Sequence, residues 1–335
     1  MLSSQICSLF AEPVDTGTLT ICAYARRNNR WIASALGLSL GIKEEALQKP
    51  LAEIIGRRYS CRMYKDNPIG EEHRRLLSEF LASNRIGPLG TRARFSLVAA
   101  TEQERESLKG LGTYGVIKGA TGFIVGATER GPKELEDYGY LMEHAVLFAT
   151  DLGLGTCWLG GTFSKSAFAK KIGVTNGEIM PAVTAVGYAA DGSRSRDPLR
   201  RRAGSDERLP ADRLFFGRRF EDPIPPEHAD GYLEVLEAVR WAPSASNRQP
   251  WRIVQSEDRW HFYLRRTKGY GKGSLIFSLM QLADLQRVDM GIAMCHFELT
   301  ARERGLAGHW VVDDPRIEKP DENTEYTASW RNDVR

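Results

Sequence analysis

The feature that most limits how this chain can fold is that it repeats itself. Laid without gaps over Ala293–Trp310 (AMCHFELTARERGLAGHW), the segment Leu141–Trp158 (LMEHAVLFATDLGLGTCW) places Met142 on Met294, His144 on His296, Leu147 on Leu299 and Ala149 on Ala301. Gly153 falls on Gly305, Leu154 on Leu306 and Trp158 on Trp310, all at one offset of 152 residues. Chance does not readily hold glycine, histidine and tryptophan in one register. A second correspondence lies upstream, where Gly56-Arg57-Arg58-Tyr59 resembles Gly217-Arg218-Arg219-Phe220 and Pro68-Ile69 resembles Pro223-Ile224. The spacing between these marks is shorter in the second copy, which has no counterpart of Ser60 and Arg62.

Each copy continues as helix, loop and strand. Leu76, Leu77, Phe80 and Leu81 recur at helical spacing in the first, and Tyr232, Leu233, Leu236 and Val239 in the second. Strands are predicted over Phe95–Ala100 and Trp251–Gln255. The first half is therefore 50–190 and the second 214–335. Residues 191–213 form a linker rich in Arg, Gly, Ser and Asp. Residues 1–49 have no copy and stand apart as an N-terminal extension. Two copies in one chain resemble a fused homodimer, whose interface would use one patch twice about a pseudo-two-fold axis. A site at such an interface need survive on one side only.

Several function classes drop out. A net charge of +3 is too weak for a nucleic-acid protein. The longest apolar run, Trp31–Ile42, reaches little more than half of a bilayer, so no membrane association is expected. The N-terminus carries no basic stretch leading into an apolar one, which argues against a secretory signal. Cys7, Cys22, Cys61, Cys157 and Cys295 are scattered and odd in number, as in a cytoplasmic protein with reduced thiols, and no metal site is expected.

Three segments have chemistry to offer. In Arg58-Tyr59-Ser60-Cys61-Arg62, two guanidinium groups flanking a hydroxyl can converge on a phosphate; the plainer reading is solvated surface. Cys61 is either a thiol activated by Arg62 or a small filler, the second being its expected role. In Ala242-Pro243-Ser244-Ala245-Ser246-Asn247-Arg248-Gln249-Pro250-Trp251, prolines bar helix at both ends of a run of short hydrogen-bonding side chains. That suits a planar, polar-edged ligand, or else an ordinary loop leading Trp251 into the core. The arginines at 194, 196, 200, 201 and 202 are equally consistent with a solvated loop or an anion site. His144 and His296 lie on apolar helical faces and are expected in the core. No nucleophile elbow, carboxylate pair or dinucleotide fingerprint is present.

From residue 50 onward the chain resembles the nitroreductase family. That family's Arg-x-Ser-x-Arg motif, which contacts the phosphate and ribityl chain of FMN, corresponds to Arg58, Ser60 and Arg62. Its Pro-Ser-x-x-Asn-x-Gln-Pro-Trp motif, which reaches the flavin of the opposite subunit, corresponds to Pro243, Ser244, Asn247, Gln249, Pro250 and Trp251. The first motif is intact only in the first half and the second only in the second, so one composite site is kept and the other broken. This pattern resembles the single-chain, pseudo-dimeric TM nitroreductase branch of the family.

The resemblance implies an α+β, nitroreductase-like fold: two duplicated halves, each a small sheet with helices, packed through long helices as a pseudo-dimer. It implies that the backbone of Leu159, Gly160 and Gly161 lies along the isoalloxazine ring. Gly153 doubles as a helix C-cap in either reading. It also implies that Arg208 of Arg208-Leu209-Pro210 completes the phosphate site. Where the family has Lys two residues earlier this chain has Asp206, and one of Arg200–Arg202 would then supply the charge. The implied function is an FMN-dependent oxidoreductase: NAD(P)H visits as transient donor, and a small nitroaromatic or quinone-like acceptor takes the electrons in ping-pong order. The alternatives are a flavin-binding protein without this turnover, or a binding module that has lost FMN. With its partner already fused, the chain is expected to be a monomer.

Overall fold

The computed structural model describes residues 47–99, 108, 111–161, 163–225, 229, 231–269 and 283–333. Of the N-terminal extension, residues 1–46 lie outside the described residues. Leu47–Arg335 is one compact unit that holds both halves. In the first half, helices α1 (Leu51–Arg57) and α2 (Glu71–Ser83) lead into strands β1 (Ala93–Ala99) and β2 (Gly122–Glu129). The long helix α3 (Glu134–Asp151), strand β3 (Gly155–Leu159), helix α4 (Lys165–Ile172) and strands β4 (Glu178–Ile179) and β5 (Val183–Gly187) follow. The linker carries a short helix, α5 (Pro198–Arg202). The second half runs through β6 (Phe215–Phe216), α6 (Leu233–Arg240), β7 (Trp251–Ser256), β8 (Arg259–Arg265), the long helix α7 (Leu285–Glu303), β9 (Gly308–Val311) and β10 (Thr324–Asn332).

Each half owns one sheet. The first is antiparallel in the order β1-β2-β5-β3, with β4 also pairing β2. The second runs β6-β7-β8-β10-β9 and is antiparallel except for the parallel β6–β7 edge. The α+β class agrees with the sequence reading.

The repeated segment proves to be the end of each long helix. Gly153 (φ 81°) and Gly305 (φ 72°) close α3 and α7 in the left-handed conformation that glycine adopts without strain. Gly153 N–H donates to Thr150 and Leu154 N–H to Ala149; Gly305 N–H donates to Arg302 and Leu306 N–H to Ala301. That pair of bonds is a Schellman cap, made twice by aligned residues.

The two helices form the shared core. Both are buried on nearly every side, Met142, Ala145 and Val146 of α3 and Met294, Cys295 and Phe297 of α7 being fully enclosed. A helix enclosed all round must find its partners on every face, and here each is the other's main partner. They touch where a glycine of one meets the backbone of the other. A Cβ at Gly139 would fall against the Val288 carbonyl, and one at Gly291 against the Glu136 carbonyl. In the 152-residue register Gly139 aligns with Gly291 and Glu136 with Val288, so contact and mirror contact use the same pair of positions. This reciprocity is the mark of a two-fold related interface.

Candidate functional site

The segment after α1 is extended from Arg58 (φ −64°, ψ 128°). It is pinned on both sides. Cys61 N–H donates to Thr156 of β3 (2.8 Å), Lys118 N–H to the Arg62 carbonyl and Tyr64 N–H to Lys118 (both 2.9 Å). Alternation along an extended chain sends Cys61 one way and Ser60 and Arg62 the other. Cys61 is fully buried in an apolar cluster and burial pushes its thiol up, so it is a filler and not an activated thiolate. Ser60 and Arg62 face a cleft. Arg62 is held there by Asp197 at 2.7 Å, and Asp197 in turn caps α5 by accepting from Leu199 and Arg200 N–H.

The 243–250 loop comes to the same cleft from the second half. Ser244 Oγ accepts from Gln249 N–H (2.8 Å), closing the loop on itself. Three of its residues other than glycine, Ser246 (φ 52°), Asn247 (φ 53°) and Gln249 (φ 48°), sit in the left-handed region. Strained backbone of this kind persists only where surrounding contacts over-determine it, and it concentrates at ligand sites.

The cleft encloses about 350 Å³. Ser60, Arg62, Trp158, Gly160, Gly161 and Ala182 line it from the first half, and Pro243, Ser244, Ala245 and Ser246 from the second. Helix α7 supplies the remaining wall through Leu285, Val288, Asp289 and Ile292. Gly160 allows this wall to close, since a Cβ there would lie 2.5 Å from Leu285 Cδ1. Leu159 is turned away into the first-half core.

Asn247 and Gln249, read from sequence as ligand contacts, are not on the cleft wall. Asn247 Nδ2 donates to the Gly204 (2.7 Å) and Glu207 (3.0 Å) carbonyls, and Gln249 Oε1 accepts from Leu209 N–H (2.8 Å). Together they dock the linker onto the second half. Through them Arg208 is set in place: it lies over the Trp241 ring and donates to Ser205, Glu207 and Asn247.

Docking the linker gathers arginines around Arg58. Of Arg200, Arg201 and Arg202, Arg200 alone is buried; it pairs with Asp206 and lies over the Tyr59 ring. Burial, with Arg200 and Arg194 opposing a compensating Glu143, lowers the Arg58 guanidinium from its ordinary value. Burial, with Arg58 and Arg200 next among the lowering causes, brings Arg208 down to about 10. The Nε atoms of Arg58, Arg200 and Arg208 are all buried without a hydrogen-bond partner. Three desolvated guanidiniums within electrostatic reach of one another, each with an unused donor, are what an anion would satisfy. Asp206, where the family pattern has a lysine, pairs with Arg200.

Behind this cluster lies a polar relay between halves that sequence reasoning reads only as core. Glu143 of α3 accepts from Trp158 Nε1 (2.8 Å) and meets His296 Nε2 of α7 (3.0 Å). The other ring nitrogen of His296 donates to the Ala238 carbonyl (3.0 Å). Both side chains are fully enclosed. His144 packs edge-on against Phe80, and burial holds it down at about 4. The cleft residues on α7, Leu285, Val288, Asp289 and Ile292, were missed from sequence. Their i, i+3, i+4, i+7 spacing is a readable helical face.

The sequence matches, over residues 50–301, the family described as "Putative TM nitroreductase". No curated protein matches. Among solved structures, a "putative nitroreductase" from Thermotoga maritima is 20% identical over 87% of this chain and 97% of that one, with a TM-score of 0.53, a likeness of fold. A nitroreductase with bound FMN from Bacteroides fragilis is 22% identical over 43% of this chain and 90% of its own, TM-score 0.34. One in complex with FMN from Desulfovibrio desulfuricans is 24% identical over 46% and 95%, TM-score 0.35. No helix among the described residues is long and apolar enough to cross a membrane.

Proposed function

The chain belongs to the "Putative TM nitroreductase" family and is thus of an oxidoreductase lineage; on that premise we propose that it is a flavoprotein oxidoreductase holding one FMN between its halves. The observation that carries this is one cleft of about 350 Å³ lined by Ser60 and Arg62 from the first half and by Pro243 and Ser244 from the second. That volume is within the range of ligand pockets. Arg58, Arg200 and Arg208 are not among the residues that line the cleft, and the phosphate would have to extend beyond that lining to meet their three buried Nε donors, which lack partners. Ser60 and Arg62 would follow along the ribityl chain, and Gly160, Gly161 and Ser244 would border the ring. The names of the FMN-bound relatives support the choice of cofactor.

When bound, FMN would supply two-electron transfer from NAD(P)H to a small nitroaromatic or quinone-like acceptor, in ping-pong order. The protein's part is placement and electrostatics. Asp197 fixes the Arg62 charge, so little reorganisation is needed when negative charge develops beside it. Leu285, Val288 and Ile292 keep water from the α7 side of the cleft. The mirror-related Gly139 and Gly291 contacts support reading the two halves as a fused dimer, which in solution would be a monomer.

The test is an absorption spectrum of the protein after mixing with FMN and desalting, followed by addition of NADH or NADPH. Flavin retained near one per chain and bleached by either nucleotide supports the full reading. Retention without bleaching leaves a flavin protein of another role. Failure to retain FMN overturns the proposal and leaves the scaffold as a binding module.

A further inference from the structure

Asp137 and Asp289 occupy the same place in the two halves, being 152 residues apart near the starts of α3 and α7. Each reaches back to the loop that leaves the preceding helix of its own half. In the first half both carboxylate oxygens are taken: Oδ1 accepts from Leu89 N–H (2.8 Å) and Oδ2 from Thr91 N–H (2.7 Å). In the second, Oδ1 of Asp289 accepts from Ala245 N–H (2.9 Å), whereas Oδ2 is buried without a partner. Asp289 is 2% exposed and lines the cleft. So the half that supplies the strained loop has lost one of the two bonds that hold its twin, and the residue left with a free oxygen lines the binding cleft. A buried carboxyl oxygen with no donor facing it costs free energy unless it carries a proton or meets a ligand.

We propose that Asp289 is a binding residue of the cleft, presenting its second oxygen as a protonated hydrogen-bond donor to an acceptor on the bound flavin. The inference rests on the FMN reading above. Its surroundings favour the neutral acid. Burial is the main cause raising this carboxyl well above its usual range; the Ala245 N–H opposes it and Asp284 adds to it. Asp284 is paired with Arg266, and Arg287 on the same helix is paired with Glu134 and Glu136. Arg62, the charged residue facing the cleft from the first half, is taken by Asp197. No cation in this set is left to hold Asp289 ionised. Its first oxygen still anchors Ala245, so the residue ties loop geometry and ligand contact together.

The test uses the full chain, wild type and the D289N and D289A variants. FMN affinity is read by quenching of flavin fluorescence, and the protonated carboxyl by infrared difference spectra with and without FMN. Asn keeps an acceptor for Ala245 and offers an N–H donor to the cleft, whereas Ala removes both. The expectation is affinity within about threefold of wild type for D289N and a loss of about tenfold for D289A. A protonated-carboxyl band should shift on FMN binding in wild type and be missing in D289N. Equal affinity in all three proteins overturns the inference. So does loss in D289A without a flavin-sensitive carboxyl band, which would make Asp289 a loop anchor only. If wild type itself fails to bind FMN, it is the cofactor assignment that falls. Should D289A not fold, the D289N affinity and the infrared band still decide.

Discussion

Replacing Gly291 by alanine tests the architecture at its tightest point. The added Cβ would lie 2.7 Å from Tyr140 N and closer still to the Glu136 carbonyl oxygen, where ordinary contact begins at 3.4 Å. The obstacles are backbone atoms of α3, so no side chain can swing aside. Helices α3 and α7 must separate by on the order of 1 Å, and a gap of that size forfeits up to about half of each dispersion contact across it. Overpacking of this kind costs about 3 kcal/mol or more, and alanine's better helix propensity returns just under 1 kcal/mol. A net loss of about 2 kcal/mol or more lowers Tm by roughly 4 to 8 °C for a unit of this size. Calorimetry on G291A and on its mirror, G139A, should give losses of similar size, because the contact is reciprocal. G56A is the control: Gly56 is exposed in α1 with nothing within 4 Å of a Cβ, so alanine should stabilise by about 0.5 to 1 kcal/mol. An unchanged or raised Tm in G291A would refute the close crossing and the two-fold argument built on it.

Other perturbations follow from the same geometry. R200A should weaken FMN binding by at least about tenfold, while R201A, exposed on the same short helix, should leave the titration unchanged. Because the Asp289 carboxyl is raised on folding, the native state holds a proton that the unfolded chain gives up. Stability is then lost as pH rises from the unfolded carboxyl range towards the folded value, so D289N should resist denaturant better than wild type by about 1 kcal/mol or more at pH 8 and not at pH 4. Glu178 behaves oppositely: Arg94 holds it down to about 2, giving stability that is present above the usual Glu range and lost as pH falls towards 2. With Arg94 well exposed to solvent, E178Q should cost about 1 kcal/mol at pH 7 and little near pH 2, as read by urea titration. Sedimentation should find one chain per particle with or without FMN.

Much of this protein is legible in its residues alone because the information is local or repeated. A helix end marked by Gly-Leu declares itself through the left-handed conformation it needs, and finding it twice at one offset implied the two halves with their two long helices. Short-range patterning likewise placed Arg58, Ser60 and Arg62 on one extended segment and Pro243 and Ser244 on one loop. That Ser60 and Arg62 share a cleft with Pro243 and Ser244 is what the family resemblance implied, through the broken symmetry of the motifs. What tertiary structure decided are matters of which group reaches which partner over long separations. That Arg200 is buried while Arg201 and Arg202 are exposed follows from the direction in which α5 docks. Asn247 and Gln249 spend their amides on a linker some forty residues away, as their hydrogen bonds to Gly204 and Leu209 record. The α7 wall of the cleft was readable as a helical face but not as this face, since nothing in its spacing says what it meets. Asp137 and Asp289 are identical letters at equivalent positions, and only the loops packed against them make one a satisfied anchor and leave the other with an oxygen to offer.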